Sequence, residues 1–172
     1  MKWMIRQEIS ADYNEVFCLI QQSFAHAEHH DGTEQELVAR LRKDPAFIPE
    51  LSLVAEMQRK LIGYILFTRL KIGTRTELAL APLAVLPEYQ HQGVGRSLIL
   101  EGHHLAAQLG YHYCVVLGSD SYYPRMGYRP ATEFGIICPF PGISPANYMA
   151  ICLCNDTGSC CGTPLYAKPF WE

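Results

Sequence analysis

Apolar and polar residues alternate along the first third of the chain in patterns that predict one strand and two helices. Trp3 to Ile9 has the composition of a short strand, and Ser10 occupies the position of a helix N-cap. The pattern Thr33-x-x-Glu36 matches a capping box, which predicts the start of a second helix. The apolar residues at helical spacing are Val16, Leu19, Ile20 and Phe24 in the first helix and Leu37, Val38 and Leu41 in the second. The chain therefore begins with the order strand, helix, helix, and a polar loop joins the helices.

Three consecutive β-rich runs follow in the middle of the chain. They span Leu51–Met57, Leu61–Leu70 and Thr76–Val85, and the polar segment 58–60 between the first two has the length of a hairpin turn. Consecutive strands joined by such short turns pair in the antiparallel sense. The pattern therefore predicts an antiparallel meander.

A longer helix and a short strand come next. Val94 to Leu109 carries an apolar stripe at helical spacing, and Gly110 stands where a C-terminal cap is expected. Tyr113 to Leu117 is a short apolar run that is typical of a buried strand. A strand, a helix and a strand in this order form a right-handed parallel crossover, so the strand ending at Val85 and the new strand should be neighbours or near neighbours. The sheet is therefore predicted to be mixed.

The carboxyl-terminal region is rich in proline and glycine. Weaker strand patterns cover Phe134–Cys138 and Asn147–Leu153, and the tail contains Tyr166, Phe170 and Trp171. We expect these aromatic side chains to pack on the sheet. No internal repeat or low-complexity tract interrupts the sequence, so we expect residues 1–172 to form a single domain.

Composition and charge exclude several classes of protein. The 172 residues are 49% hydrophobic and 18% charged, which is typical of a folded domain with one core. The net charge of -3 and the lack of any run of basic residues give no electrostatic basis for binding nucleic acid. The amino terminus lacks the apolar segment of a secretion signal, and no apolar stretch is long enough to span a membrane. We therefore expect a cytoplasmic protein that binds neither nucleic acid nor membranes.

Cysteine and histidine residues are the candidate metal ligands. Cys152 and Cys154 precede the adjacent pair Cys160 and Cys161, but structural zinc sites favour cysteine pairs with about two to four intervening residues. A second group, in the loop between the two predicted helices, consists of His26, Glu28, His29, His30 and Asp31. No other cluster at ligand spacing accompanies it, so we expect no metal. A solvated loop and a surface that contacts a substrate both remain open for this group.

The residues best suited to binding a ligand lie where the last strand of the meander leads into the long helix. Gly93 and Gly95 remove side chains where the backbone must approach a ligand. The first turn of a helix presents unpaired amide groups at the positive end of its dipole, and phosphate groups bind at such sites. Arg96 and the hydroxyl group of Ser97 can supply a charge and one more donor, and an orientation of Arg96 towards solvent is an equal alternative. The sequence therefore predicts a phosphate-binding loop at Gln90–Ser97.

Two common phosphate-binding motifs are absent from this loop. It lacks the Lys-Ser/Thr pair of a P-loop, and Leu98 stands where a dinucleotide-binding fingerprint has its third glycine. Nucleoside triphosphates and NAD are therefore not the expected ligands. A glycine pair at a helix start also occurs in ordinary turns, so the neighbouring residues decide the interpretation.

Two segments resemble the GNAT N-acetyltransferase superfamily. Gln90-x-x-Gly93-x-Gly95 matches the superfamily signature of Gln or Arg, two residues, Gly, one residue, and Gly or Ala. The segment Leu117–Ala131 is similar to the one after the fifth strand in the YhbS-like subgroup, which usually ends Tyr-Tyr-x-Arg-Phe-Gly-Phe. The resemblance extends from Ile5 to Ala131. It implies an α/β (α+β) fold with a mixed, mostly antiparallel central sheet, a splayed pair of parallel strands and flanking helices.

The resemblance also implies an acetyltransferase with acetyl-CoA as its cosubstrate. Such an enzyme moves the acetyl group to a primary amine of a small molecule or peptide by direct attack on the thioester in a ternary complex. Tyr123 occupies the position of the general acid for the departing CoA thiolate, and a phenol is protonated at neutral pH. The cofactor-binding residues that the resemblance implies are Leu83, Ala84 and Val85 beside the pantetheine arm, Gln90, His91, Gln92, Gly93, Val94, Gly95, Arg96 and Ser97 around the pyrophosphate, and Tyr123.

Several alternatives stay open at the level of the sequence. Tyr122 and Tyr123 are both core aromatics in the simplest alternative to a catalytic role. The general base has four candidate carboxylates, Glu28, Asp31, Glu77 and Asp120, and a chain of water molecules is an equal alternative. A non-catalytic module that senses acyl-CoA would carry the same loop, and a protein-interaction domain would reuse the same fold. No motif identifies the acceptor amine or the oligomeric state, for which a homodimer is one option.

Overall fold

A seven-stranded sheet forms the centre of the fold. The computed structural model describes residues 3–27, 31–155, 158 and 160–172. Its strands are β1 (Met4–Gln7), β2 (Phe47–Met57), β3 (Lys60–Ile72), β4 (Arg75–Val85), β5 (Tyr113–Leu117), β6 (Arg129–Pro130) and β7 (Tyr148–Cys152). Its helices are α1 (Tyr13–Phe24), α2 (Glu34–Leu41) and α3 (Val94–Gln108). None of the helices in this part of the chain has both the length and the apolar character needed to cross a bilayer.

The strand order is β1-β2-β3-β4-β5-β7-β6. Strands β1 to β4 pair antiparallel in sequence order, β4 and β5 are parallel, and β5, β7 and β6 pair antiparallel. Helix α3 makes the crossover between the two parallel strands. The predicted meander and the predicted mixed, mostly antiparallel sheet with flanking helices are therefore confirmed.

The helices cover both faces of the sheet. Because successive residues of a strand point to opposite faces, β3 contributes Phe67 to one face and Tyr64 to the other. Leu98 of α3 is fully buried in the cluster with Phe67, and Val16 of α1 is fully buried in the cluster with Tyr64. We call these the α3 face and the α1/α2 face.

The two parallel strands separate after a short contact. They pair only at Leu78 with Cys114 and at Ala79 with Val115, and β4 then continues to Val85. A register shift against β3 places two residues of β4 opposite one residue of β3 just beyond this contact. The carboxyl-terminal half of β4 therefore has an unpaired edge on the side of β5, which is the arrangement that a splayed pair requires.

Two predicted element starts and one predicted helix cap differ from the structure. Helix α1 begins at Tyr13, because Ser10 opens a 3-10 turn and the Asp12 carboxylate, rather than the Ser10 hydroxyl group, accepts the Ile9 amide at 2.9 Å. Thr33 does stand at the N-cap of α2, but its hydroxyl group donates to Asp31 at 2.6 Å instead of capping the helix. Strand β2 begins at residue 47, earlier than predicted, because the chain pairs with β3 before the apolar run starts.

The carboxyl-terminal region is only partly as predicted. The strand expected at Phe134–Cys138 is wrong: a 3-10 turn ends there at Gly135, which has a φ of 75°, and only Ile136 forms an isolated bridge. The strand expected at Asn147–Leu153 is confirmed as β7. The tail aromatics pack on one another and on the sheet, with the Phe140 ring centroid 5.0 Å from that of Tyr166.

Candidate functional site

A cavity of about 750 Å³ opens between the start of α3 and the segment that follows β5. Strand β4 supplies its floor, the loop before α3 supplies one wall, and residues 121–126 supply the facing wall. The lining residues are Leu83, Val85, Tyr89, Gln90, His91, Gly93, Val94, Gly95, Arg96, Ser121, Tyr122, Arg125 and Met126. The cavity therefore lies beside the part of β4 that has lost its partner strand.

Backbone conformation shapes the loop wall. His91 has a φ of 59° and Gly93 a φ of 95°, and both lie in the left-handed region, where a side chain at Gly93 would be strained. The Gln90 side chain donates to the Val85 carbonyl at 3.0 Å, and the Gln92 side chain donates to the Glu88 carbonyl at 2.8 Å. The first bond fixes the loop to β4, and the second fixes it to the 3-10 turn Pro87–Tyr89. The amide groups of the first turn of α3 are thereby held at the cavity wall.

The charge of the cavity is positive and uncompensated. Arg96 lines one wall and Arg125 the other, and no carboxylate lies among the lining residues. Across the ranges that the structure describes, neither guanidinium group forms an ion pair or a side-chain hydrogen bond. By contrast, the arginines paired with carboxylates are Arg6, Arg40, Arg42, Arg75 and Arg129. Two unpaired arginines beside a helix N-terminus are suited to a ligand with several negative charges.

Tyr122 projects into the cavity towards the start of α3. Its hydroxyl oxygen lies 2.5 Å from the position that a Cβ atom on Gly95 would take. Partial burial raises the pKa of Tyr122, and the charge of Arg125 opposes that rise. Tyr122 is a site residue that the sequence motif alone did not identify. The signal available for it was its position next to Tyr123 in the same motif.

Tyr123 lies deeper than its neighbour. Its side chain is 8% exposed, and its ring packs edge-on against the ring of Tyr128 with centroids 5.6 Å apart. A Cβ atom on Gly118 would lie 2.4 Å from the Tyr123 ring, so the absence of a side chain there makes room for this ring. Burial raises the pKa of Tyr123, which keeps the phenol protonated. Tyr123 is not among the residues that line the cavity.

The structure brings most of the predicted cofactor-binding residues together and leaves four outside the cavity lining. The eight that line it are Leu83, Val85, Gln90, His91, Gly93, Val94, Gly95 and Arg96, and the four outside are Ala84, Gln92, Ser97 and Tyr123. Ala84 belongs to the α1/α2 face, because alternate residues of β4 point away from the cavity. Ser97 lies on the other flank of α3, in a shallow groove with Trp3 and Glu101.

Among the four candidate bases, Glu77 is the one that the structure describes as buried. Its carboxylate accepts the Arg75 side chain and the amide groups of His112 and Tyr113, each at 2.9 Å. It therefore joins the start of β4 to the start of β5 and has a structural role. Asp31 and Asp120 are exposed, and Glu28 lies outside the described residues, as do His29 and His30 of the same loop. Within the described ranges, no three potential ligands from His, Cys, Asp and Glu gather as a metal site would require.

Comparison with known proteins identifies the family. The acetyltransferase (GNAT) domain family matches residues 49–130. YhbS of Escherichia coli K12, an uncharacterised N-acetyltransferase, is 34% identical over 146 residues, which cover 83% of this chain and 83% of YhbS. The chain belongs to the GNAT acetyltransferase family. YjhQ of Escherichia coli K12, another uncharacterised N-acetyltransferase, is 42% identical over 113 residues, which cover 63% of this chain and 62% of YjhQ.

Solved structures of GNAT proteins share the whole fold. The crystal structure of Escherichia coli YhbS in complex with CoA superposes with a TM-score of 0.89 at 29% identity, and the match covers 100% of this chain and 93% of that one. A GNAT acetyltransferase of Brucella melitensis in complex with acetyl-CoA superposes with a TM-score of 0.80 at 28% identity, over 98% and 97% of the two chains. The predicted fold is therefore that of proteins which bind CoA or its acetyl ester.

Proposed function

We propose that this GNAT protein transfers the acetyl group of acetyl-CoA to a primary amine of a small molecule or peptide. The observation that carries the proposal is the cavity at the start of α3, where two unpaired arginines and the helix N-terminus face each other without a carboxylate. CoA is an anion with a long, polar pantetheine arm, and this cavity offers positive charge on two walls and, along its floor, a strand edge without a partner strand.

The two parts of the cofactor match two parts of the cavity. The amide groups at the start of α3, presented by the loop at Gly93 and Gly95, suit the pyrophosphate. The edge of β4 over residues 83–85 suits the pantetheine arm, because its peptide groups have no partner strand on the side where β5 has separated. The acetyl group then points towards the place where the two strands diverge.

Acetyl transfer at this position requires three events. The neutral amine attacks the carbonyl carbon of the thioester, a C–N bond forms and the C–S bond breaks. The amide near Val85 stabilises the negative charge that develops on the carbonyl oxygen. The amine loses one proton to water, and the departing sulfur receives one proton from a phenol. Glu77 is assigned no part in these transfers, because three hydrogen bonds hold its carboxylate in a structural role.

The phenol that serves as general acid is Tyr123 in this proposal. Burial raises its pKa, so the phenol carries its proton at neutral pH, and it opens the 3-10 turn Tyr123–Met126 that follows β5, while Tyr122 stands nearer to the pyrophosphate site. Replacement of Tyr123 by Phe should lower kcat about 100-fold and leave the Kd of acetyl-CoA almost unchanged. Tyr122→Phe is the matched control, because it removes a phenol hydroxyl group from the adjacent residue. A loss of kcat in Tyr122→Phe alone would transfer the acid role to Tyr122.

The test of the function itself is mass-spectrometric detection of acetylated products. A panel of small amines, amino acids and peptides is incubated with the protein and acetyl-CoA, since the seven cysteines would interfere with a thiol-colour assay. We expect at least one acetylated amine, whose formation depends on Tyr123. If acetyl-CoA raises the melting temperature but no amine across a broad panel is acetylated, a non-catalytic sensor of acyl-CoA replaces the enzyme as the explanation.

A further inference from the structure

Tyr128 adds a hydroxyl group to the core of the α3 face. The subgroup motif that the segment after β5 resembles usually ends Phe-Gly-Phe, whereas this chain has Met126-Gly127-Tyr128. Tyr128 is only 1% exposed, so its hydroxyl group is shielded from water. A buried hydroxyl group without a partner destabilises a fold, so this extra oxygen needs partners within the protein.

The partners of the Tyr128 hydroxyl group are His103 and Cys114. His103 Nε2 lies 2.8 Å from the hydroxyl oxygen, and the Cys114 thiol lies beside the same oxygen. Burial lowers the pKa of His103 to about 4 and raises the pKa of Cys114 to about 12, so both side chains are neutral at pH 7. The phenol can then donate to the imidazole and accept from the thiol. The Tyr128 ring is therefore held at its hydroxyl end as well as at its backbone.

The Tyr128 ring packs directly against Tyr123. The two ring centroids are 5.6 Å apart and the ring planes meet at 76°, so the contact is edge-on. The Tyr123 ring also contacts the Tyr122 ring, with centroids 5.2 Å apart, and occupies the space that Gly118 leaves free. Because a protein interior is close-packed, a shift of the Tyr128 ring is transmitted to the Tyr123 phenol.

His103 connects these tyrosines to α3. It lies about two turns after Gly95 along the helix. The helix approaches the sheet closely at this level, because a Cβ atom on Gly102 would lie 2.2 Å from the Phe67 ring. The first turn of the same helix presents the amide groups to which the proposed function assigns the pyrophosphate. The network therefore joins the proposed general acid to the helix that would hold the cofactor.

We propose that Tyr128 is a positioning residue, held in place by His103, which aligns the Tyr123 phenol with the departing sulfur of CoA. The inference rests on the proposed function, because it takes Tyr123 as the general acid. Proton donation requires the phenol to lie within hydrogen-bonding reach of the sulfur, and a small misplacement lowers the rate steeply. Neither Tyr128 nor His103 lines the cavity, so each acts through Tyr123 rather than by contact with the substrate.

A double-mutant cycle on kcat tests this role, with an amine that the product assay has identified as an acceptor. Tyr128→Phe should lower kcat about tenfold and leave the Kd of acetyl-CoA unchanged. In the Tyr123→Phe background, the same substitution should have no further effect on kcat, because the phenol that it positions is already absent. His103→Leu removes the partner of the Tyr128 hydroxyl group and should repeat both results. His103→Gln keeps a hydrogen-bonding side chain and should retain part of the activity.

Tyr113→Phe is the matched control for the loss of a buried hydroxyl group. The Tyr113 hydroxyl group donates to the Gly158 carbonyl at 3.2 Å. Tyr113 stands at the start of β5 and points away from the α3 face, because it alternates along the strand with Cys114. Tyr113→Phe should therefore leave kcat unchanged.

Two results would overturn the positioning role while leaving the proposed function in place. In one, Tyr128→Phe and His103→Leu leave kcat unchanged; in the other, they lower kcat by the same factor with and without the Tyr123 hydroxyl group. A wild-type protein that acetylates no amine, or an unchanged kcat in Tyr123→Phe, would instead contradict the proposed function or its general acid. Thermal unfolding of each variant shows whether a loss of kcat reflects a loss of folding.

Discussion

Two buried polar networks lie on opposite faces of the sheet, and they differ in charge. On the α1/α2 face, the Glu8 carboxylate is almost fully buried and binds Arg42 and the hydroxyl group of Ser52, which in turn contacts the Tyr64 hydroxyl group at 2.9 Å. On the α3 face, His103 Nε2 lies 2.8 Å from the Tyr128 hydroxyl group. Burial lowers the pKa of His103 to about 4, so this second network is uncharged at neutral pH.

The difference teaches that arginines paired with carboxylates stabilise the fold, whereas arginines without such a partner can bind a ligand. On the α1/α2 face, the chain's own carboxylates neutralise its cations, as Glu8 does for Arg42. On the α3 face, the interior is neutral and the surface cations at the cavity, Arg96 and Arg125, have no carboxylate partner in the described part of the chain. Positive potential therefore remains at the cavity, where an anionic cofactor can use it.

We expect the largest change in the free energy of unfolding when the buried ion pair of Glu8 and Arg42 is broken. Replacement of Arg42 by Met leaves the Glu8 carboxylate buried without its cation, and should lower the free energy of unfolding by about 3–5 kcal/mol. Urea denaturation at neutral pH measures the change. The double variant Glu8→Gln with Arg42→Met should recover part of the loss, because it no longer buries an unpaired charge. Equal stability of Arg42→Met and the wild type would mean that the network does not hold the α1/α2 face together.

The next effect concerns the unpaired cations. The double variant Arg96→Gln with Arg125→Gln should weaken acetyl-CoA binding about 100-fold, because each arginine supplies a charge-assisted hydrogen bond to phosphate. Its free energy of unfolding should stay close to that of the wild type, in contrast to Arg42→Met. Arg59, another exposed arginine without a carboxylate partner in the described residues, lies in the turn after β2. Arg59→Gln is therefore the control for net charge and should bind acetyl-CoA normally.

The third prediction concerns how the free energy of unfolding depends on pH, which the uncharged pair of His103 and Tyr128 should influence. His103 has a pKa of about 4 in the folded protein, whereas the unfolded chain takes up the proton near pH 6.5. Between these values the unfolded state binds more protons, so stability falls as pH is lowered. His103→Gln should abolish roughly 2 kcal/mol of the loss between pH 7.5 and pH 5. If the free energy of unfolding falls equally with pH in His103→Gln and in the wild type, His103 is not held neutral in the folded protein.

The smallest expected effect is at the exposed pair of Arg129 and Glu133. Both side chains are about half exposed, so solvent screens their attraction. Arg129→Gln should change the free energy of unfolding by less than about 0.5 kcal/mol. A loss of several kcal/mol would show that exposure to solvent does not weaken this ion pair, and that Arg129 is structural like the buried Arg42.

The sequence predicted the parts of the fold that follow from local patterns. The meander, helix α3 and the loop at Gly93 and Gly95 are encoded by periodicity and by glycine at the start of a helix, and all are present. The strand expected at Phe134–Cys138 was wrong because Gly135 turns the chain out of the extended conformation. Apolar composition alone does not distinguish a strand from a buried turn.

The site was less predictable, because its second wall is assembled by tertiary structure. The loop residues were found from their motif, but Tyr122 and Arg125 reach the cavity only because the segment after β5 folds back towards the start of α3. The side to which Ser97 points also depends on how α3 packs, and its place in the groove with Glu101 follows from that packing. A motif therefore locates a binding loop but not the residues that face it.

A crystal structure of the protein with CoA is the most direct test of the central claim that the uncompensated positive cavity holds the cofactor. The account predicts the pyrophosphate on the amide groups at the start of α3 and the pantetheine arm beside residues 83–85. It also predicts the guanidinium groups of Arg96 and Arg125 within hydrogen-bonding distance of phosphate oxygens. CoA bound at another surface, or bound in this cavity with both arginines turned into solvent, would contradict it.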